Sequence, residues 1–290
     1  MTDVAKAISF SHMTHTLTRP GGTVVYELAG DASHPLVILG HGMADSSATF
    51  RFLAPRLIDA GYRVATVDLR GHGRSSVDWP DYSTTAVAGD FLALIDELGG
   101  APAVIVGSSY SAGAAVIAAY QRPDAIRAMV LTGPAVRTPT AGNLLMTVTQ
   151  SLVTRGPLGR PLWLGWYKNK LWPQGKPADF AEQFAALGAN LGEKGRMGAA
   201  QAMMRSGHDA SAAVIGEVAT PALVIMGSKD PDFPDAVAEA AWVADSLAGP
   251  TERRAICRKR LKSLKRRWLS IPGFRASIII WASHIYLKTA

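Results

Sequence analysis

Ser109 lies in a segment whose residue types favour a nucleophilic serine. The stretch VIVGSSYSAGAAV, residues 104–116, combines a β-branched apolar run, a turn of small residues and an alanine-rich helical pattern. A sharp strand-to-helix turn of this kind, a nucleophile elbow, lifts a serine hydroxyl clear of a sheet. Small residues must stand two before and two after the serine, and Gly107 and Ser111 meet that demand. Ser111 replaces the second glycine of the usual G-x-S-x-G pattern.

Two neighbouring serines compete with Ser109 for the nucleophilic role. Ser111 also stands two residues before a glycine, in the string S-Y-S-A-G. The frame with Gly107 before Ser109 fits the tight turn better, and Ser108 lacks a small residue two positions earlier. An unassisted serine hydroxyl is a poor nucleophile, so it needs a base to accept its proton and an acid to orient that base.

The elements that would position Ser109 form an alternating pattern. Strand-like apolar runs occur at residues 23–28, 35–40, 62–69, 102–107, 126–133 and 221–227. Helical patterns lie between several of them, at residues 48–61, 84–100 and 111–123. Nearly continuous Val, Ile and Leu strands that alternate with helices predict an α/β fold, a mostly parallel sheet with helices on both faces.

The alternation breaks in the middle of the chain. We predict a mainly helical lid at residues 135–215, inserted over the sheet and carrying a cluster of tryptophans. The α/β core then comprises residues 1–134 and 216–250, and residues 251–290 form an atypical basic tail. At 290 residues and 48% hydrophobic content, the chain is long enough to bury one large core with an insertion.

Three further motifs follow predicted strands. They are LGHGMADS at 39–46, VDLRGHGRSS at 67–76 and GSKDPDF at 227–233. In this order, and together with the turn at Ser109, the chain resembles the α/β-hydrolase superfamily over roughly residues 15–250, in its serine-nucleophile, lidded, esterase-like branch. The resemblance implies the α/β-hydrolase fold with an inserted helical lid. It does not fix the substrate, because the fold hosts many chemistries.

The resemblance also implies roles for particular residues. Ser109 is the nucleophile and Asp230 the acid, with Asp232 as the neighbour that could substitute. The backbone N–H groups of Met43 and Tyr110 form the oxyanion hole. The implied reaction is hydrolysis of an ester or related acyl bond of a small, largely apolar substrate through an acyl-serine. Carbon–carbon bond hydrolases and cofactor-free haloperoxidases share this serine chemistry, whereas epoxide hydrolases and haloalkane dehalogenases of the fold attack with a carboxylate.

The histidine base is missing from its expected place. The family supplies it in a Gly-His turn about 25–35 residues after the acid, but residues 249–270 contain no histidine. His284, 54 residues after Asp230, is only a weak fallback. His208 precedes the acid, so its chain order is wrong for the base. We expect His41 and His72 to order their loops through hydrogen bonds.

The tail differs in charge from the rest of the chain. Residues 251–290 contain 11 Lys and Arg and one acid, whereas residues 1–250 carry a net charge of −3. This change predicts a reading-frame shift. The segment AICRKR can be encoded GCC ATA TGC CGC AAG CGG, which spells HMPQA one base out of phase, and the family often shows Gly-His-x-Pro-Gln around its base. The shifted chain would lack both the base and the last helix.

A second hypothesis treats the tail as functional. Ile256, Leu261, Leu264 and Trp268 lie approximately along one helical face, surrounded by Lys and Arg. A basic amphipathic helix can bind anionic membrane or nucleic acid without sequence specificity. The protein would then be a non-catalytic, hydrolase-like protein that binds a membrane or a partner. We regard membrane contact as the lesser alternative and expect no specific nucleic-acid binding.

Composition sets the remaining expectations. The single cysteine, Cys257, rules out an intramolecular disulfide. The segment MTDVAKAISFSH lacks the apolar run of a signal peptide, which predicts a cytoplasmic protein. No metal cluster, phosphate-binding glycine loop or nucleotide fingerprint is found, so we expect no cofactor and a small-molecule substrate as the partner.

Overall fold

The computed structural model describes residues 13–99, 102–138, 158–172 and 175–247 in full and residues 278–283 by their backbone. These residues form one sheet of eight strands in the order β1-β2-β4-β3-β5-β6-β7-β8. The strands are β1 Met13–Arg19, β2 Gly22–Ala29, β3 Leu36–Gly40, β4 Arg63–Asp68, β5 Ala103–Ser108, β6 Ile126–Thr132, β7 Ala222–Gly227 and β8 Ile278–Ser283. All six predicted strands occur, each within one residue of its expected ends.

Strand direction divides the sheet into a parallel centre and two antiparallel edges. The pairs β4–β3, β3–β5, β5–β6 and β6–β7 are parallel. The pairs β1–β2, β2–β4 and β7–β8 are antiparallel. The predicted fold class is confirmed, because the sheet is mostly parallel and helices cover it. Strand β1 was not predicted, since its sequence MTHTLTR lacks a continuous apolar run.

Among the residues that the structure describes, four helices belong to the core and four lie between β6 and β7. The core helices are α1 Leu53–Asp59, α2 Thr84–Glu97, α3 Tyr110–Gln121 and α8 Ala236–Leu247. The inserted helices are α4 Gly159–Lys170, α5 Phe180–Gly192, α6 Arg196–Arg205 and α7 Asp209–Val214. The predicted helix at 48–61 is divided into a 3₁₀ turn, Ser47–Phe50, and α1. No helix in the described ranges is both long and apolar enough to cross a membrane.

The central strands bury side chains on both faces of the sheet. On β3 every residue is buried; Ile38 belongs to the larger apolar cluster, and Val37 and Leu39 belong to the smaller one. Side chains that follow one another along a strand point to opposite faces, so the two clusters lie on opposite sides of the sheet. This double burial explains why the strands read as continuous apolar runs.

Helix α3 is the element that places Ser109. Ten of its twelve residues are buried, and the small ones include Ala112, Ala114, Ala115 and Ala118, each 0% exposed. Side chains of this size let the helix approach the sheet closely, at the cost of leaving little room for larger residues. The start of the helix is therefore held tightly against the end of β5.

The inserted helices contact the loops that follow β3 and β4. The indole N–H of Trp163 donates to the Ala44 carbonyl at 3.2 Å, and the amide of Asn190 donates to the Gly73 carbonyl at 2.9 Å. Rings of the same segment contact one another, as in the pairs Trp163–Trp166, Tyr167–Trp172 and Phe180–Phe184. The exact boundaries of this segment as a lid, residues 135–215, stay a prediction.

A buried ion pair connects α2 to the loop after β4. Arg70 donates Nε to Asp90 Oδ2 at 2.8 Å and Nη2 to Oδ1 at 2.7 Å, and the Asp90 side chain is only 4% exposed. Arg19 of β1 donates Nε to the same carboxylate at 3.1 Å. One acid on α2 thus holds together the edge strand and the loop that carries His72.

We predict that Asp90→Ala lowers the free energy of unfolding by about 3–5 kcal/mol, because it leaves the buried Arg70 without its carboxylate. Asp96→Ala is the matched control on the same helix, since the Asp96–Arg122 pair is solvent-exposed and should contribute little. Urea denaturation followed by circular dichroism measures both variants. Equal effects of the two substitutions would contradict the structural role given to Asp90.

Candidate active site

Ser109 adopts a backbone conformation that is rare for a residue with a side chain. Its φ is +51° and its ψ is −112°, between the end of β5 and the first residue of α3. A conformation of this kind costs on the order of 1–3 kcal/mol and persists only where its surroundings enforce it. The N–H of Ser109 donates to the Thr132 carbonyl at 2.9 Å, and the Ala135 N–H donates to the Ser109 carbonyl at 3.2 Å.

Gly107 is required by the closeness of strand and helix at this turn. A Cβ at position 107 would lie 2.6 Å from the Ser111 carbonyl oxygen and 2.8 Å from the Cα of Ala112. Backbone atoms cannot move away as a side chain could, so any larger residue would force the turn open. This close contact explains why the sequence pattern requires a small residue at position 107.

Ser111 is engaged in the turn and has no access to solvent. Ser111 is 0% exposed, and its hydroxyl donates to the Gly40 carbonyl at 2.6 Å. The same oxygen accepts the N–H of Ser108 at 2.8 Å. Ser111 therefore ties the ends of β3 and β5 together, which is why a serine can stand where glycine is usual. Ser109 is partly exposed, whereas its competitor is closed off.

The loop after β3 passes directly beside Ser109. A Cβ built on Gly42 would lie 3.2 Å from Ser109 Cβ and 3.7 Å from Ser109 Oγ. Among the described residues, no acceptor is paired with the backbone N–H of Met43 or of Tyr110. Tyr110 is the first residue of α3, where an N–H has no partner within the helix. The described residues thus leave two backbone N–H donors unpaired, one in the residue that follows Ser109 and one in the loop that passes beside it.

Two buried histidines connect this loop to the loop after β4. His41 Nε2 accepts the Leu69 N–H at 3.0 Å, and His72 Nε2 accepts the Ala44 N–H at 2.9 Å. In each ring Nδ1 must then carry the proton, and it donates to a carbonyl, that of Gly42 or of Arg70. Both imidazoles have both nitrogens engaged, so they order the loops and are not available to accept a proton from Ser109.

Asp230 lies beyond the end of β7, two strands from Ser109 across β6. A Cβ on Gly133, which follows β6, would lie 3.2 Å from Asp230 Oδ2, so the carboxylate borders the same loop that binds the Ser109 backbone. Its Oδ1 accepts the Asp232 N–H at 3.0 Å. Burial raises the pKa of Asp230 above the usual range, opposed by that backbone hydrogen bond. No cationic side chain of the described residues forms an ion pair with it.

Comparison with known proteins identifies the family. A family model described as alpha/beta hydrolase fold matches residues 35–242. The chain belongs to the α/β-hydrolase family. Its strand order and its turn at Ser109 agree with that membership.

Individual relatives match shorter regions. An sn-1-specific diacylglycerol lipase from Mus musculus is 39% identical over 105 residues, which cover 36% of this chain and 34% of that protein. An epoxide hydrolase from Caballeronia sordidicola is 36% identical over 133 residues, 42% of this chain and 40% of that protein. The matched regions thus span about two fifths or less of these relatives. A solved hydrolase from Pseudomonas aeruginosa PA01 covers 82% of this chain and 88% of its own, with a TM-score of 0.66 and 24% identity.

His208 lies at the start of α7 in the inserted segment and packs against Tyr110 of α3. Its ring centroid lies 5.2 Å from that of Tyr110, and its Nδ1 is buried without a hydrogen-bond partner. Burial lowers the pKa of His208 to about 4. His208 precedes Asp230 in the chain, so the sequence does not predict it as the base. Its contact with Tyr110 could not be predicted either, because α7 and α3 are far apart along the chain.

Within the tail, the structure describes one strand, β8, by its backbone. Strand β8 runs antiparallel to β7, and Ser283 pairs with Ala222 at the amino-terminal end of β7. Ser109 and Asp230 lie at the carboxyl-terminal edge of the parallel strands, which is the opposite edge. His284, the fallback base, lies outside the described residues, as do residues 251–277.

We predict that His208 makes stability sensitive to acid. In the folded protein burial holds its pKa near 4, whereas an unfolded histidine titrates near 6.5. The unfolded chain therefore binds the proton first, and stability is complete above about pH 6.5 and falls as the pH drops toward 4. The loss is about 1.4 kcal/mol per pH unit for one such group. His72, with its pKa lowered by burial to about 3, adds a second contribution of the same sign.

Thermal unfolding of the parent chain and His208→Gln between pH 7.5 and pH 5 tests this dependence. The variant should lose less stability over that interval than the parent, because Asp230 and His72 are common to both. His34→Gln, at an exposed position, serves as the control and should behave as the parent does. An identical slope in parent and His208→Gln would refute the assignment.

Proposed function

We propose that this protein is a serine hydrolase that cleaves an ester or related acyl bond through an acyl-serine. The observation that carries the proposal is the placement of Ser109 Oγ at a strained turn with two unpaired backbone N–H groups beside it. A tetrahedral intermediate of acyl transfer needs donors of this kind, each worth about 3–4 kcal/mol of transition-state stabilisation.

The chemistry follows from the positions of these groups. Ser109 Oγ attacks the acyl carbon, and the carbonyl oxygen becomes an oxyanion that accepts from the N–H groups of Met43 and Tyr110. Collapse of this intermediate breaks the bond to the leaving oxygen, which departs as the alcohol with the proton that Ser109 Oγ gave up, and the acyl group stays on Ser109. Water then attacks the acyl-serine and forms a second oxyanion in the same hole. Its collapse breaks the bond between the acyl carbon and Ser109 Oγ, a proton of the water returns to Oγ, and the acid leaves and ionises to the carboxylate.

The nucleophile type favours ester hydrolysis over other reactions of the family. The matched regions include a lipase and epoxide hydrolases. Epoxide hydrolases of this fold attack with a carboxylate, and this chain has a serine at that position. The lipase match therefore agrees better with the residue at the turn. Two apolar side chains lie in or against the loop after β3, those of Met43 and Trp163. They suit a small and largely apolar substrate.

Asp230 is proposed as the acid that would orient a base. Its carboxylate borders the loop after β6, and Asp232 stands beside it. The base itself has no candidate among the described residues in the expected chain order. We infer that proton transfer from Ser109 is the step in which this chain is impaired.

We predict that a fluorophosphonate probe labels Ser109 alone, slowly in this chain and rapidly in the version with the downstream reading frame restored, because a serine hydroxyl without its base is a poor nucleophile. Labelling should be absent in Ser109→Ala and retained in Ser111→Ala, because the Ser111 hydroxyl is buried and bonded to Gly40. Peptide mapping by mass spectrometry locates the adduct directly, so the result does not depend on how well Ser111→Ala folds. An adduct on Ser111, or labelling that survives Ser109→Ala, would overturn the nucleophile assignment.

We also predict that the chain hydrolyses short p-nitrophenyl esters barely above background. Loss of a triad base removes several orders of magnitude, since the members act as a unit and only binding and the oxyanion hole remain. A version with the downstream reading frame restored should be active. Robust turnover by the chain as it stands, abolished by His284→Ala, would show that His284 is the base and that the account of the tail is wrong.

A further inference from the structure

The side chain of Tyr110 connects the start of α3 to the inserted helices. Tyr110 is the first residue of α3 and is 0% exposed. Its phenol oxygen lies 2.8 Å from the Tyr82 carbonyl oxygen, in the segment before α2, and 2.6 Å from Ser206 Oγ. Ser206 directly follows the last residue of α6. One buried side chain thus joins three segments that lie far apart in the sequence.

The direction of these hydrogen bonds follows from the protons available. The Tyr110 and Ser206 hydroxyls carry one proton each, but Ser206 Oγ also lies 2.7 Å from the Met203 carbonyl oxygen. That carbonyl already accepts the Ser206 N–H at 3.2 Å. The Tyr82 carbonyl has no other donor among the described residues. The arrangement that leaves no acceptor without a donor therefore runs from Ser206 to Tyr110 and from Tyr110 to Tyr82.

The surroundings of the Tyr110 ring hold this arrangement in place. Burial raises the pKa of the Tyr110 phenol, opposed by its hydrogen bond with Ser206, so the hydroxyl keeps the proton that it donates to Tyr82. The centre of the His208 ring lies 5.2 Å from that of the Tyr110 ring. The end of α6 and the start of α7 therefore both contact Tyr110.

The position of Tyr110 affects the chemistry because its backbone N–H is one of the two donors of the proposed oxyanion hole. Such donors stabilise a transition state only when they are held close to the productive geometry. Ser109, directly before it, has a strained backbone that persists only where the surroundings enforce it. Thr132 and Ala135 bind the Ser109 backbone on the side of β6. The phenol of Tyr110 is anchored on the side of the inserted helices.

We propose that Tyr110 is a positioning residue, whose phenol makes the oxyanion hole depend on the end of α6. The inference rests on the proposed acyl transfer at Ser109 and extends it to the inserted segment. The hydroxyl of Ser206 holds the Tyr110 phenol, and the phenol holds the first residue of α3. A displacement of α6 that breaks the hydrogen bond between Ser206 and Tyr110 would loosen the Tyr110 N–H and lower the reactivity of Ser109.

The rate at which an alkyl p-nitrophenyl phosphonate reacts with Ser109 tests this proposal on the full chain. Without its base, the chain owes its remaining reactivity to the oxyanion hole and to binding, so this rate reports on the hole. Tyr110→Phe and Ser206→Ala should each slow the reaction about tenfold, part of the roughly 10²–10³-fold cost of losing one oxyanion donor. The double variant should be no slower than Tyr110→Phe alone, because Ser206 acts through Tyr110. Mass spectrometry follows the adduct.

Conservative variants and a spectroscopic measurement separate positioning from general stability. Ser206→Thr keeps the hydroxyl and should restore the rate that Ser206→Ala loses. Tyr120→Phe removes an exposed phenol from the same helix and should react as the parent does. The phosphorus NMR shift of the adduct should move in Tyr110→Phe and Ser206→Ala, because hydrogen bonds to the phosphonyl oxygen change, and should stay in place in Tyr120→Phe. A merely structural role would lower the thermal stability without moving this shift.

The outcomes distinguish this inference from the proposed function. Absence of an adduct on Ser109 in the parent chain would reject the proposed function, and this inference with it. An adduct that forms in the parent and at the same rate in Tyr110→Phe or in Ser206→Ala would reject the inference alone. If Tyr110→Phe does not fold, Ser206→Ala decides the question, since Ser206 is an exposed residue at the end of α6.

Discussion

The left-handed backbone at Ser109 is the constraint on which the rest of the structure depends. A residue at φ +51° is held there by hydrogen bonds to Thr132 and Ala135, so the loop after β6 is fixed by the same turn that presents the hydroxyl. The turn can close only because Gly107 has no side chain and because the first turns of α3 consist mainly of small residues. The small residues of this segment are therefore a requirement of the site and not only of the core.

The two buried histidines, His41 and His72, position the loops after β3 and β4 relative to each other. His41 binds the loop that carries His72, and His72 binds the loop that carries His41, so each loop is positioned by a side chain of the other. This reciprocal connection holds the Met43 backbone beside Ser109. It works only while both rings are neutral, since protonation would remove the acceptor nitrogen. Asp68 supports the same region by accepting the N–H groups of Ser47 and Arg74.

Sequence patterns predicted the central strands well and the connections between distant segments poorly. Strands such as β3 and β5 are buried on both faces, so their apolar runs are unambiguous, whereas β1 is mostly polar and was missed. Ser111 was read as a rival nucleophile because its hydrogen bond to Gly40 joins residues 71 apart.

The central claim is that Ser109 and two backbone N–H groups form one acyl-transfer site. A crystal structure of the chain after prolonged reaction with an alkyl p-nitrophenyl phosphonate tests it most directly, because even a slowly formed adduct fixes both the nucleophile and the position of the oxyanion. The account predicts phosphorus on Ser109 Oγ, with one phosphonyl oxygen about 2.7–3.1 Å from the backbone nitrogens of Met43 and Tyr110. A phosphonyl oxygen directed away from both nitrogens, or phosphorus on another residue, would contradict it.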